Sequence, residues 1–287
     1  MAIKKQYPID QSPLFKLTTR KKLSALLRFD LKEFESLIDE KKYRVFKKDE
    51  RDIQHPILDL NRVHKRLANL LSRIAVPDYV HSTRGKSYIS NAKQHTGNVP
   101  LVKTDVSKFY PSITFSSVNR LFRDLFKCSP DVSFLLAHIC CYQGRHLPTG
   151  SSISGYVAYF SSKHIFDEID RLAKSKQCIM TLFVDDITIS GKNASKRLLN
   201  GTNSVIIQGG LKVKNKKSHC FAAHQPKTVT GVIIVGDSLR IPNKLHQKIW
   251  ESKEKLVETS IPHERLKLEA SICGMSQAAR QIDPTFK

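Results

Sequence analysis

Apolar positions along the chain switch between helical and strand-like periods, and the switches divide it into elements. The clearest helical stripe covers residues 59–75. There Leu60, Val63, Leu67, Leu70, Leu71 and Ile74 share one face, while Arg62, Lys65, Arg66 and Arg73 lie off it. Residues 19–39 read as two short helices broken near Phe29–Asp30, and Tyr43–Pro56 as a strand pair around the charged turn KKDERD. A Gly- and Ser-containing stretch, STRGKSYISNAKQHTGN, leads to a strand over Pro100–Val106. Helices are predicted at 115–127, 131–141 and 151–175. Two apolar runs, Cys178–Val184 and Ile187–Ser190, then flank Asp185–Asp186. A helix over 193–208 ends at Gly209–Gly210, and short strands follow near 219–222, 229–235 and 239–241, with Gly236–Asp237–Ser238 as a hairpin turn. Residues 243–258 and 262–280 read as two basic helices separated at Pro262. Helices and strands mix without regular βαβ alternation, which predicts an α+β fold.

Composition narrows the partners. Lys and Arg total 48 against 26 acidic residues, a formal charge of +22. Such an excess favours a polyanion, because each neutralised phosphate releases counterions. Apolar residues make up 40% of 287 positions, which excludes wholesale disorder and allows a sizeable core, about two domains' worth by length. No apolar run approaches the roughly 18 residues of a spanning helix, and no lipidation motif or basic amphipathic anchor is evident. The start, MAIKKQYPIDQSPLF, has no apolar stretch of signal-peptide length. Cys128, Cys140, Cys141, Cys178, Cys220 and Cys273 form no CxxC pair, so reduced, mostly buried thiols and a cytoplasmic setting without membrane are expected. His219, Cys220 and His224 are irregularly spaced and read as packing, not a metal site.

The central chemical signal is LFVDDITIS, residues 182–190. A lone Asp–Asp turn is weak evidence, since Asp is common in hairpins. Here the flanks are too apolar for surface strands, and adjacent buried carboxylates repel and lose hydration, so they need cations. A second carboxylate, Asp105, ends the predicted strand in LVKTDVSKFYPSI, about 80 residues earlier. Together these can hold two Mg²⁺ ions with few protein oxygens, leaving room for phosphates and water.

On these residues the chain resembles a reverse transcriptase over most of its length. Asp105 matches the first metal-binding strand, and Phe183-Val184-Asp185-Asp186 the YxDD hairpin, with Phe where Tyr is usual. The resemblance implies a right-hand polymerase fold with fingers and N-terminal helices at 1–100, palm at 101–240 and a short helical thumb at 241–287. Part of the fingers falls around 115–150. It implies catalysis by Asp105, Asp185 and Asp186, with these and the Val106 carbonyl holding two Mg²⁺. It makes Tyr110 the steric gate against a ribose 2′-OH and Arg51, in RDIQHP, the grip on the dNTP triphosphate. Lys48, Arg84 and Lys86 are secondary candidates. Lys217, in GLKVKNKKS, is the candidate proton donor to pyrophosphate. LPTGSSISG (147–155) keeps Leu147, Pro148, Gly150 and Ser154 of the family's L-P-Q-G-x-P-x-S-P element. Thr149 replaces its Gln, and Ser152 and Gly155 its prolines. Gly150 still permits close approach to the nucleotide.

Asn91-Ala92-Lys93-Gln94-His95 matches the NAxxH element of retron reverse transcriptases, and Val229-Thr230-Gly231 their VTG triplet. The retron likeness implies that Asn91, His95, Val229, Thr230 and Gly231 contact a structured non-coding RNA. It implies that part of this RNA is copied into branched single-stranded DNA (msDNA), primed from a guanosine 2′-OH. It also implies a neighbouring effector or toxin protein in anti-phage defence. Two alternatives stand beside it. One is a non-catalytic RNA-binding scaffold, suggested by the altered 147–155 element. The other is a reverse transcriptase of the abortive-infection or diversity-generating type.

Overall fold

The computed structural model describes residues 6–49 and 51–286. Helix α1 (Arg20–Leu27) is capped by the Thr19 side chain and ends at Arg28, whose φ is 58°. After a 3₁₀ turn comes α2 (Phe34–Leu37). Strands β1 (Tyr43–Lys48) and β2 (Arg51–Pro56) form the predicted hairpin, with Tyr43 opposite Pro56 and Lys48 opposite Arg51. Glu50 of its turn lies outside the described residues. Helix α3 (Leu58–Leu71) buries the predicted stripe and stops short of residue 75. Ile74 remains buried beyond its end, bridged to Tyr7. Within the Gly/Ser stretch lies a helix that periodicity missed, α4 (Tyr88–Lys93), nucleated by a reciprocal capping box between Ser87 and Ser90.

Strand β3 (Leu101–Asp105) is followed by α5 (Phe109–Ser112), α6 (Phe115–Arg120) and α7 (Pro130–Cys140). The predicted 115–127 helix changes to a π-helical turn over Leu121–Leu125. The predicted 151–175 helix is two helices broken at Ser162, α8 (Ser154–Ser161) and α9 (Lys163–Ser175). Strands β4 (Ile179–Phe183) and β5 (Asp186–Ser190) precede α10 (Lys196–Gln208), which the Ser195 hydroxyl caps. Short strands β6 (His219–Phe221), β7 (Lys227–Val229), β8 (Val232–Val235) and β9 (Ser238–Arg240) follow. The expected strand 229–235 is split because Thr230 and Gly231 take φ of 45° and 82°, the signs of a two-residue type I′ hairpin turn. The chain closes with α11 (Asn243–Glu258) and α12 (Pro262–Ile282).

The main sheet is antiparallel, in the order β4-β5-β3-β6. Its register fixes two unlike faces, because side chains alternate along each strand. Val102, Met180, Leu182, Ile187 and Ile189 point one way, into the large core against α9 and α10. Lys103, Asp105, Thr181, Phe183, Asp186, Thr188 and Ser190 point the other way. A second, smaller core joins Ile89 and Ala92 of α4 to Leu101, to Val229, Val232 and Ile234, and to Ile249, Ala279 and Ile282 of the last two helices. Those are the buried residues within α11 and α12 themselves, so the far end of the pair stands in solvent. Of the six cysteines, four are buried and all are free, as expected. No helix among the described residues is long and apolar enough to cross a membrane.

Candidate active site

The polar face of the main sheet carries the three carboxylates. Asp105 ends β3 directly opposite Asp186, which opens β5 and faces Phe183 on its other side. The β4–β5 turn is therefore Val184–Asp185, one residue earlier than the Asp185–Asp186 turn the sequence suggests. The turn takes an unusual backbone: Val184 has φ 61°, a sign that β-branched residues rarely adopt. The Val106 amide donates to the Asp185 carbonyl (3.0 Å), tying the turn to the end of β3. Residues 80 positions apart thus meet at one edge.

The electrostatics show how tightly these groups share their space. Burial and the Asp105 charge push the Asp185 carboxyl up to about 6. Asp186 is also raised, by burial and by Asp105, against the pull of the Lys103 ammonium. Its Oδ1 is buried and has no hydrogen-bond partner. Asp105 is 4% exposed and bonds to the Lys217 ammonium. Burial opposes the Lys217 charge, but the Asp105 hydrogen bond and the three carboxylates outweigh it and raise its pKa. The loop carrying Lys217 is pinned to the same strand end: the Lys214 amide donates to Asp105 O (2.8 Å) and Ser107 to Lys212 O (2.7 Å). Lys103, two residues before Asp105 on the same face, donates to Thr228 O at 3.0 Å. Sequence reasoning passed over Lys103, although strand alternation from Asp105 places it there.

These residues fit divalent ions of the hard, oxygen-seeking class. They bring together carboxylates that cannot comfortably ionise side by side, plus one buried oxygen left without a donor. Among the described residues no three acidic, His or Cys side chains already converge as a closed cage. Lys217 balances Asp105 instead. Asp105, Asp185, Asp186 and the Val106 carbonyl are the groups able to hold such ions.

Tyr110 lies next to this cluster. Its ring stacks on Phe109 with centroids 6.0 Å apart, and burial, helped by the Asp185 charge, pushes its hydroxyl up to about 12. A Cβ on Gly155 would lie in ordinary contact, 3.7 Å, with the Tyr110 Oη. The 147–150 loop is stitched to the β1–β2 hairpin. Gln54 N donates to Thr149 O (3.1 Å), and Thr149 N to Gln54 Oε1 (2.8 Å). Gly150 has φ 137°, and a Cβ there would meet Ile53 Cγ2 at 2.8 Å and the Gln54 carbonyl at 3.3 Å. Its glycine is thus required by contact with β2, whatever else approaches it. Arg51 and Lys48 are exposed partners at the turn end of the hairpin. Arg84 is exposed, while Lys86 donates to the Asp78 carbonyl (2.6 Å).

The NAxxH and VTG residues meet, but mostly inside the protein. Asn91, His95 and Val229 have no exposed surface, so their side chains reach no outside molecule directly. His95 lies between Ser190 Oγ and Thr181 Oγ1, each 2.7 Å from a ring nitrogen. Asn91 Nδ2 donates to Thr230 Oγ1 (3.4 Å), which itself donates to Tyr88 O (2.8 Å). Only the Thr230–Gly231 turn reaches the surface. His219 is exposed on β6, its ring tilted 54° to that of Phe221 at 6.2 Å, and not buried in packing as the sequence suggested.

Asp105 and Asp186, paired across the β3–β5 register beside Tyr110 and Lys217, make this the most chemically distinctive face of the sheet. The chain belongs to the reverse transcriptase (RNA-dependent DNA polymerase) family, which matches residues 19–234. It is 33% identical over 231 residues to the Retron Se72 reverse transcriptase of Salmonella heidelberg (strain 579083-10), covering 73% of this chain and 60% of that protein. It is 26% identical over 219 residues to the Retron Ec86 reverse transcriptase of Escherichia coli, covering 75% and 63%. The chain thus spans under two thirds of the length of these relatives. The retron resemblance carried by NAxxH and VTG agrees with them. The structure of apo telomerase from Candida tropicalis, truncated from its C-terminal domain, shares the fold. That match has a TM-score of 0.50 at 12% identity, covering 70% of this chain and 54% of that one. The α+β right-hand polymerase architecture follows.

Proposed function

We propose that the chain is a retron-type RNA-directed DNA polymerase that copies part of a structured non-coding RNA into branched single-stranded DNA. The observation that carries this is the Asp105–Asp186 register with Asp185 in the adjoining turn. In this reading two Mg²⁺ ions on Asp105, Asp185, Asp186 and the Val106 carbonyl supply activation of the attacking hydroxyl and stabilisation of the leaving oxygen. The primer hydroxyl attacks the dNTP α-phosphate and pyrophosphate leaves. Tyr110 blocks a ribose 2′-OH. Lys217, held protonated beside Asp105, is positioned to give a proton to pyrophosphate. Arg51 grips the triphosphate by its planar fork, and Gly150 holds the 147–150 loop close to the hairpin.

Fingers extend over 1–100, palm over 101–240 and thumb over 241–287. The exposed Thr230–Gly231 turn and the basic thumb helices face the RNA, which is gripped by its phosphates and shape. Asn91, His95 and Val229 serve that surface from behind. A bacterial cytoplasmic setting and an effector protein acting with the complex against phage complete the proposal.

The test is incorporation of labelled dNTP on a primed RNA with Mg²⁺. The parental protein extends the primer, and Asp185→Asn abolishes extension while RNA binding is kept. Extension by the variant at the parental rate refutes the assignment. No incorporation by the parental protein favours the non-catalytic scaffold. Sequencing the nucleic acid that copurifies reveals a branched RNA–DNA molecule if the retron reading holds.

A further inference from the structure

His95 is a fully buried imidazole on the polar face of the catalytic sheet, and it touches both strands of the hairpin that ends in Asp185 and Asp186. One ring nitrogen meets Thr181 Oγ1 on β4 and the other Ser190 Oγ on β5, both at 2.7 Å. Thr181 and Ser190 are themselves buried. They lie on the same face as Phe183 and Asp186, because positions two apart on a strand share a face. A neutral imidazole has one donor and one acceptor nitrogen, and each hydroxyl can do either, so all these partners are satisfied at once. Burial drives His95 down to about 3, which keeps it in that neutral form at any working pH. The bridge stands roughly 13 Å behind the catalytic turn, four residues along the strand.

His95 follows α4 by two residues, its amide donating to Ala92 O (3.0 Å), and the helix is anchored toward its start. Asn91 and Tyr88 both bond to the Thr230 hydroxyl in the exposed β7–β8 turn. Thr230 holds φ 45° and Val184 φ 61°, so each of the two turns bears a β-branched residue in a backbone state it disfavours. Such states persist only where the surroundings over-determine them.

We propose that His95 is a positioning residue for nucleotide addition: by clamping Thr181 to Ser190 it holds the Asp185–Asp186 hairpin in register against β3, with α4 tying that clamp to the Thr230–Gly231 turn. This rests on the polymerase reading given above.

The experiment uses the full chain with its RNA and measures single-nucleotide addition at saturating and limiting dNTP. Thr181→Val keeps shape and volume but removes the hydroxyl from His95. It is expected to lower kcat roughly 10- to 100-fold, the size of effect a small misplacement of catalytic groups produces. The KM for dNTP and the affinity for RNA stay within about twofold, and Thr181→Ser restores kcat. Ile206→Val, in α10 on the other side of the sheet, serves as a core change that costs stability without touching the clamp; its kcat stays parental. The inference is overturned if Thr181→Val keeps the parental kcat. It is equally overturned if kcat falls only in step with the folded fraction, as in Ile206→Val, or if Thr181→Ser fails to restore it. A parental chain unable to add nucleotides defeats the polymerase reading itself and this inference with it, whereas an active parent with an unaffected Thr181→Val defeats the clamp alone.

Discussion

Asp185→Asn stabilises the metal-free protein, and the gain grows with pH. In the parent, burial and the neighbouring Asp105 raise the Asp185 pKa from 3.8 to about 6. A carboxyl with a raised folded pKa binds more protons folded than unfolded between those values, so stability falls as pH climbs through that window and then levels off. The shift corresponds to at most about 3 kcal/mol above pH 7, and to about 1 kcal/mol at pH 4.5. Asparagine carries no charge and escapes this cost. His64 and His95 work in the opposite sense: burial lowers them to about 4 and about 3, so their contribution is complete above the unfolded histidine pKa and fades as pH falls. Both proteins contain them, and they cancel in the difference. In EDTA at pH 7.5 the variant therefore melts higher, by at most roughly 6 °C, and the gap narrows at pH 4.5. Adding Mg²⁺ raises the parent and leaves the variant almost unmoved, because an ion that binds only the native carboxylates stabilises by mass action. Equal melting temperatures at pH 7.5 in EDTA, or a gap independent of pH, refute the claim that these carboxylates are held together against their own repulsion.

Tyr110→Ala removes the ring beside Asp185 and is expected to raise ribonucleotide use relative to deoxyribonucleotide at least about 10-fold, a loss of about 1.4 kcal/mol in discrimination, measured as the ratio of kcat/KM values. Gly150→Ala places a methyl 2.8 Å from Ile53 Cγ2 at φ 137° and should cost about 2 kcal/mol or more in urea unfolding; a neutral result shows that the hairpin can move aside. Lys217→Ala leaves the buried Asp105 charge without its partner. It lowers stability in EDTA by about 1–3 kcal/mol, less than a fully buried pair because the Lys217 side chain is 47% exposed, and Mg²⁺ recovers most of the loss in the same unfolding assay.

The fold was most legible where long periodic patterns met burial. The α3 stripe and the apolar runs around Asp185–Asp186 predicted their elements because each buries one face over many residues. The meeting of Asp105 with the hairpin came from chemistry: adjacent carboxylates between apolar strands need a partner. Register was harder. Val184 belongs by type to a strand, and only the packed structure shows it bent to φ 61° in the turn. Helix α4 has six residues, too few for a period, and its one sequence mark is the Ser87–Ser90 pair. The strand read across 229–235 hid a turn because Thr230 is a strand former by propensity, overruled by its hydrogen bonds to Tyr88 and Asn91. Asn91 and His95 were expected at an RNA surface. A polar side chain in a short motif looks the same whether it meets a ligand or a buried hydroxyl, and only their burial separates the two.

The division into two cores has a consequence for how such chains diversify. Leu101 and Phe221 of the main sheet pack into the smaller core, with α4, β7–β9 and the last two helices, and Lys103 reaches across to Thr228. Substitutions in the last two helices, away from α4 and the Thr230–Gly231 turn, can reshape that face while the carboxylate sheet keeps its own packing. A lineage could then exchange the nucleic acid it recognises at little risk to the reaction it performs. Grafting α11 and α12 between related chains should accordingly transfer template preference and leave the rate of nucleotide addition in place.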